Sequence, residues 1–187
     1  AASAVTNTIL REKLFNQLQF NLSETEAQYQ ASAQLNSAGD ASEILTILRQ
    51  FTILGHMNVS FISVSLFDAP WSRTRRPQWL TQAAQWTPRH ITIPFGERFD
   101  LRNWKNLPQL FTQDHPTIIF DIANEMRLDP GLRQVFLERL EAKSMLAVPL
   151  NVSGRWIGLV IAFYDQITGF SELEIRRLVS LSQQAAI

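Results

Sequence analysis

The stretch AVPLNVSGRWIGLVIAFY, residues 147–164, contains two apolar runs that meet at Ser153 and Gly154. A two-residue loop between two apolar runs is typical of a β-hairpin, and glycine suits the left-handed backbone conformation of its turn. Both runs are apolar at almost every position, as expected for strands covered on both faces. Pro149 cannot donate to a strand ladder, so we expect a bulge close to it. The stretch predicts the central hairpin of a covered sheet.

Two helix starts flank the apolar segments of the chain. Ser171 can cap a final helix, and Glu174, three residues later, completes a capping box. Asp40 and Glu43 form the same pattern before an earlier helix that ends near Gly55. Each pattern satisfies backbone N–H groups that a helix leaves without internal partners. The sequence therefore predicts helices on both sides of the strands.

Further segments show the period of two that characterises β-strands. The candidates are residues 59–67, 80–86 and 117–122. In residues 59–67 serine alternates with apolar side chains, which favours a strand with one buried face. Residues 87–112 are irregular around a short helix, and residues 132–140 are predicted as a helix. Strands joined by turns, with helices at both ends, predict an α+β fold: an antiparallel sheet of about six strands, terminal helices on one face and an irregular lid on the other.

The N-terminal region, residues 7–36, is predicted to be helical and mostly polar. A capping box at residues 23–26 leaves open whether this region forms one helix or two. Its apolar positions form one narrow stripe: Leu10, Leu14 and Leu18. Such a stripe needs a partner in water, so we predict a homodimer through the terminal helices. Leu178, on the apolar face of the last helix, is assigned to the same dimer contact.

Composition narrows the functional classes. The 187 residues are 45% hydrophobic, enough for a packed core, and no apolar run reaches the length of a membrane span. The chain has no cysteine, which removes disulfide and thiol chemistry and favours a cytoplasmic location. Net charge is zero, although residues 71–105 are rich in arginine. Because no basic–aromatic repeat accompanies that segment, we interpret it as a solvated loop and predict no nucleic-acid partner.

The order of these segments and their amino-acid sequences resemble those of the GAF domain family. The matching segments are YQASAQL (29–35), DASEILTIL (40–48), PTIIFD (116–121), MLAVPL (145–150), GRWIGLVI (154–161) and FSELE (170–174). The resemblance covers residues 27–187 and makes residues 1–26 a linker or signalling helix. It implies a sensory module of a signalling protein, possessing a small-molecule pocket under the lid and a C-terminal output domain such as a histidine kinase. The chain begins at Ala1 and ends within a helical pattern, so we expect a longer parent protein.

The resemblance also restricts the ligand. Members that hold a bilin or reduce methionine sulfoxide use cysteine, so the absence of cysteine excludes a covalently attached bilin and that reductase activity. Cyclic-nucleotide members carry an Asn-Lys pair and an Asp-Glu pair around a phenylalanine. Phe170 matches, but residues 164–166 read Tyr-Asp-Gln and Ile175 replaces an acid, which disfavours that ligand. The ligand itself stays unassigned.

A metal or haem site is not expected. The three histidines are His56, His90 and His115, and no two of them have the spacing of metal ligands. The sequence also lacks paired carboxylates, a Ser/His/Asp set or a Gly-rich phosphate loop. We therefore expect no catalytic residue, and a stand-alone hydrolase or transferase is disfavoured.

The pocket is expected between the sheet and the lid. Seven residues are assigned to it, with aromatic walls and polar or charged side chains: Trp86, Phe99, Trp104, Phe111, Asp121, Arg127 and Arg133. In the alternative interpretation the aromatic residues are ordinary core and Asp121 caps the following chain. The same alternative makes the domain a ligand-free dimerisation and relay module with a self-filled pocket. A cavity beneath residues 86–136 would separate the two interpretations.

Overall fold

A six-stranded antiparallel sheet forms the middle layer of the structure, a computed structural model that describes residues 2–88 and 97–185. The strands are β1 (Val59–Trp71), β2 (Trp79–Trp86), β3 (Arg98–Asp100), β4 (Thr117–Ile119), β5 (Ser144–Val152) and β6 (Arg155–Tyr164). They lie in the order β3-β2-β1-β6-β5-β4. The predicted α+β fold with a central antiparallel sheet is confirmed.

Five α-helices lie among the described residues. They are α1 (Ala2–Ser37), α2 (Ala41–Phe51), α3 (Leu107–Leu110), α4 (Pro130–Gln134) and α5 (Glu172–Ala185). A single π-helical turn, Val135–Arg139, extends α4. The lid consists of residues 101–112 and 122–143, which include α3 and α4.

The terminal helices share one face of the sheet, as predicted. Ala31 and Leu35 of α1, Leu48 of α2 and Leu181 of α5 belong to one buried apolar cluster. The sheet contributes Ile62, Val64, Leu146, Val148, Val160, Ala162 and Tyr164 to that cluster. A second buried cluster lies on the opposite face and contains the apolar residues of the lid. The sheet is therefore covered on both faces.

The hairpin between β5 and β6 has the predicted tight turn. Ser153 and Gly154 have φ angles of 48° and 74°, as a type I′ turn requires. The register between the two strands shifts between Leu150 and Asn151, one residue beyond Pro149. Strand β4 pairs with β5 only as far as Ala147. At Pro149, β5 therefore pairs only with β6, and a proline without an N–H is tolerated there.

Both predicted helix caps are present, and the cap before α5 is a complete capping box. Asp40 Oδ1 accepts hydrogen bonds from the N–H groups of Ser42 and Glu43 at 2.8 and 2.9 Å, while Glu43 Oε2 accepts from the N–H of Gly39 at 2.7 Å. Before α5, the N–H of Glu174 donates to Ser171 Oγ at 3.2 Å, and the N–H of Ser171 donates to Glu174 Oε2 at 3.1 Å. These local bonds explain why sequence alone located the two helix starts.

The structure decides the alternative left open for the N-terminal region and corrects one expectation about the terminal helices. Residues 23–26 do not start a new helix, because α1 continues through them as one helix. Leu178 is 1% exposed and packs in the cluster between the helices and the sheet. It therefore stabilises the single chain and offers no surface to a second copy.

Candidate functional site

A cavity of about 280 Å³ lies between the sheet and the lid. Strands β1, β2 and β6 supply its floor through alternate residues: Phe61, Ser63, Ser65, Leu80, Gln82, Ile161 and Phe163. Its walls come from β3 and the lid: Phe99, Leu101, Trp104, Leu107, Phe111, Leu132, Val135, Phe136 and Leu140. The site is thus apolar and aromatic around a small polar floor, the usual composition of a small-molecule pocket.

Local sequence shapes the lid over this cavity. Asp100 Oδ1 accepts from the N–H of Arg102 at 3.0 Å and starts a 3₁₀ turn that turns Leu101 inward. Hydrogen bonds from Arg102 lower the pKa of the Asp100 carboxyl below its usual value, so it stays ionised in this cap. The turn and the following short helix α3 bury Leu107 and Phe111. Irregular chain of this kind fills space less evenly than a long helix, which leaves the cavity.

Three of the floor residues are buried and polar. Ser63, Ser65 and Gln82 are 6%, 3% and 2% exposed. Ser65 and Gln82 are cross-strand partners in β1 and β2, and the Ser65 hydroxyl donates to Ser63 Oγ at 3.3 Å. Gln82 Oε1 has no hydrogen-bond partner among the described residues. The floor therefore retains an unused acceptor inside an apolar enclosure.

Two charged residues also line the cavity, Glu97 and Arg139. Glu97 is half-buried and Arg139 is exposed, so both reach water and lie at the rim. Their charges have opposite sign. The interior of the cavity is therefore uncharged over the described lining residues.

Three of the assigned pocket residues, Phe99, Trp104 and Phe111, line the cavity. Trp86 does not: it packs against the cluster on the helical face, with the Arg49 guanidinium 3.5 Å from its ring centre. The cause is a bulge in β2. Val64 pairs with Ala84 and Ser65 pairs with Gln82, so the strand alternation reverses between Gln82 and Trp86. The assignment of Trp86 to the pocket is corrected.

The assigned charged residues hold the loop after β4 together and are absent from the cavity lining. Asp121 Oδ1 accepts from the N–H of Ala123 at 3.1 Å, in the capping role that the alternative interpretation assigned to it. Arg127 pairs with Glu125 through its Nη2 at 2.7 Å, and this hydrogen bonding lowers the pKa of the Glu125 carboxyl. Arg133 Nη2 donates to the carbonyl of Glu125 at 2.6 Å. These contacts are structural.

Sequence reasoning missed the polar floor. The alternation of serine in residues 59–67 favours a strand with one buried face, whereas β1 is central and Ser63 and Ser65 are buried. For the segment that contains Gln82, the sequence predicts a strand but no site residue other than Trp86. A signal was available: Gln82 interrupts the apolar positions of a strand that the fold places next to the centre of the sheet.

The histidines lie outside this cavity. His56 Nε2 is 3.6 Å from Glu174 Oε1, and His115 Nδ1 is 2.9 Å from the Thr112 hydroxyl. His90 lies outside the described residues. In residues 2–88 and 97–185 no group of three or more potential ligating side chains could hold a metal ion. Over the same ranges, each helix is too short or too polar to cross a bilayer.

The sheet thus separates a helical layer from a lidded cavity in an α+β architecture. The GAF domain family profile matches residues 41–187, so the chain belongs to the GAF domain family. GAF domains are generally sensory and non-catalytic. No curated protein matches the sequence significantly.

Solved structures with the same fold come from bacterial photoreceptors and signalling proteins. The chromophore-binding domain of an unusual bacteriophytochrome from R. palustris has a TM-score of 0.66 at 13% identity, covering 89% of this chain and 60% of that one. The phycocyanobilin-bound GAF domain from a cyanobacterial phytochrome has a TM-score of 0.63 at 13% identity, covering 87% and 91%. A domain of a protein described as a two-component sensor histidine kinase, from Sinorhizobium meliloti 1021, has 0.54 at 16%, covering 80% and 90%. At these identities the likeness concerns the fold.

Proposed function

We propose that this chain is the sensory module of a multidomain, histidine kinase-like signalling protein of the cytoplasm. It binds a small molecule non-covalently in the cavity under the lid, and it relays occupancy through terminal helices that pair with those of a second copy to a C-terminal output domain. The observation that carries this proposal is the cavity itself. A cavity of about 280 Å³ with an unused polar acceptor weighs against the alternative of a self-filled relay domain.

The ligand is smaller than a bilin. An engineered cavity of about 150 Å³ accommodates benzene, so a cavity of about 280 Å³ is far too small for four pyrrole rings with their side chains. The chain also has no cysteine to tether such a chromophore. The likeness to the phycocyanobilin-bound neighbour is therefore taken as a likeness of fold, and its ligand is not transferred.

Strand β1 offers a route from the cavity to the helices. Ser63 and Ser65 line the cavity, whereas their neighbours Ile62 and Val64 belong to the cluster that contains α1, α2 and α5. A ligand that shifts β1 relative to the lid therefore also changes the surface on which these helices pack. Such a ligand shifts the population of helix positions by as much as its affinity differs between them.

The two terminal helices are linked directly. Arg177 of α5 forms an ion pair with Glu24 of α1, and both side chains are partly buried. The apolar cluster continues this contact through Ala31 and Leu181. A displacement of α5 is therefore transmitted to α1 within the same chain.

The exposed part of α1 is the proposed dimer surface. Leu10, Leu14 and Leu18 are each more than half exposed, whereas Ala31 and Leu35, further along the same helix, pack on the domain. A helix with an exposed leucine stripe is stabilised by pairing with another copy. Leu178 is not part of this surface.

Native mass spectrometry of freshly purified protein tests the proposal, because it reports bound small molecules and oligomeric state together. We expect a dimer that carries additional non-covalent mass, lost at higher collision energy. A dimer without added mass, and without binding in a screen of small aromatic compounds, would favour the ligand-free relay module. A monomer at all concentrations would contradict the helix pairing.

A further inference from the structure

The floor of the cavity contains a hydrogen-bond acceptor that has no donor among the described residues. Gln82 is 2% exposed, lines the cavity, and its Oε1 has no partner. Buried amide oxygens in folded proteins are almost always paired, because losing water without a replacement hydrogen bond is costly. A donor for Gln82 Oε1 is therefore missing from the described lining of the cavity.

The backbone holds Gln82 in this position. Its Cα is paired with that of Ser65 in β1, and its N–H donates to the carbonyl of Glu97 at 3.2 Å. Strand pairing thus fixes the Cα of Gln82 at the floor, and burial keeps its side chain among the residues that line the cavity. A ligand in the cavity can therefore reach this amide.

The surroundings of the acceptor are aromatic and uncharged. Phe61, Phe99, Trp104, Phe111, Phe136 and Phe163 all line the cavity. The charged lining residues, Glu97 and Arg139, lie at the rim and have opposite signs. A charged ligand would lose its hydration without gaining a buried counter-ion, which disfavours it strongly.

The volume of the cavity limits the size of its ligand. A cavity of about 150 Å³ binds benzene. The present cavity, about 280 Å³, is a little less than twice as large. One or two rings therefore fit, and a larger ring system does not.

We infer that the cavity binds an uncharged one- or two-ring heteroaromatic molecule that donates one N–H or O–H hydrogen bond to Gln82 Oε1. This inference rests on the proposed function, since it assigns a ligand class to the same cavity. The walls select for a flat apolar body, and Gln82 selects for the single donor. A site built around such an acceptor rejects analogues that lack the donor.

Calorimetric titration of the full chain with indole and 1-methylindole tests this. The two probes share the ring system, and only indole has an N–H. We expect indole to bind about tenfold more tightly, because 1-methylindole leaves the buried acceptor unpaired. The protein is first checked by native mass spectrometry for co-purified ligand, which is removed.

Three variants test whether Gln82 causes the preference for indole over 1-methylindole. In Gln82→Leu and Gln82→Met we expect indole to lose its preference, so that the two probes bind equally. Both variants are expected to unfold at a higher temperature than the parent without ligand, because an unpaired buried amide is removed. Gln109→Leu, an exposed glutamine on the lid, is the matched control and should keep the tenfold ratio.

The outcomes are distinguishable. Equal binding of both probes by the parent, or a tenfold ratio that persists in Gln82→Leu and Gln82→Met, overturns the role of Gln82 but leaves a ligand-binding cavity. Failure of both probes to bind overturns the ligand class. If native mass spectrometry also finds no bound molecule, the proposed function fails with it.

Discussion

At Gly158, strand β6 passes so close to β1 that a Cβ atom would lie 2.2 Å from the carbonyl oxygen of Ser65. Real Cβ atoms do not approach a backbone oxygen this closely, so the position requires glycine for space alone. Gly158 lies beside the bulge at which Leu150 and Asn151 oppose residues 158 and 156 of β6. Strand contact at the centre of the sheet thus depends on one missing side chain.

Replacing Gly158 with alanine should destabilise the fold by about 3 kcal/mol, since both strands must move apart in a packed core. Urea unfolding followed by tryptophan fluorescence measures the change. Gly169→Ala is the control, because a Cβ there meets nothing within 4 Å and should leave the midpoint almost unchanged. Equal midpoints for the two variants would show that β1 and β6 are not in this close contact.

Glu125 should stabilise the loop before α4 in a pH-dependent way. Hydrogen bonds from Arg127 lower its folded-state pKa below the ordinary value of 4.5. A lowered carboxyl pKa gives stability that is complete above 4.5 and is lost as the pH falls through the folded-state value. Glu125→Gln should therefore cost up to about 1 kcal/mol at neutral pH and nothing in acid. Urea midpoints of parent and variant should converge on acidification; a constant gap would contradict the ion pair.

At the scale of elements, the helices divide into a packed part and an exposed part. Leu178 of α5 is buried in the helical face of the sheet, whereas Leu14 of α1 is more than half exposed. Both are leucines with helical spacing, and sequence assigned them to one surface. Their structural roles are opposite, which gives two separate predictions.

Leu178→Ala should lower the free energy of unfolding by about 3 kcal/mol, because it leaves a cavity between α5 and the sheet. Chemical unfolding at low protein concentration measures the loss without a contribution from association. An effect below about 1 kcal/mol would mean that Leu178 is not in the core.

Leu14→Glu should leave the stability of the single chain almost unchanged and weaken its self-association at least tenfold. Sedimentation equilibrium measures the association, and Gln17→Glu on the same exposed helix is the charge-matched control. Unchanged sedimentation of Leu14→Glu would remove the stripe from the dimer surface.

Elements with local signals could be predicted from sequence, and those without could not. Capping boxes and the Ser153–Gly154 turn located α2, α5 and the central hairpin, because their hydrogen bonds and φ angles involve neighbours in sequence. The three-residue strand β3 was not recognised as a separate strand, since its only described strand partner is β2. The face of Trp86 was assigned wrongly because a bulge reverses strand alternation without a signal in the residues themselves.

At the scale of the whole molecule, the order of elements predicts the layers of the fold, but it does not predict which polar residues line the cavity. Terminal helices around an antiparallel sheet leave one face for the middle of the chain, so a lid was predictable. The polar floor was not, because burial of Ser63, Ser65 and Gln82 depends on which strands are central. Which strands are central depends on pairing between segments that are distant in sequence.

Helix α1 is one unbroken helix of 36 residues, and its contacts with the domain run from the ion pair between Glu24 and Arg177 to the packed Ala31 and Leu35. At 1.5 Å per residue, Ala2 lies about 33 Å from Glu24 along the helix. A tilt of about 5° at Glu24 therefore moves Ala2 by roughly 3 Å. The length of the helix thus amplifies a rotation too small to alter the fold into a displacement comparable to the rise of one β-strand residue.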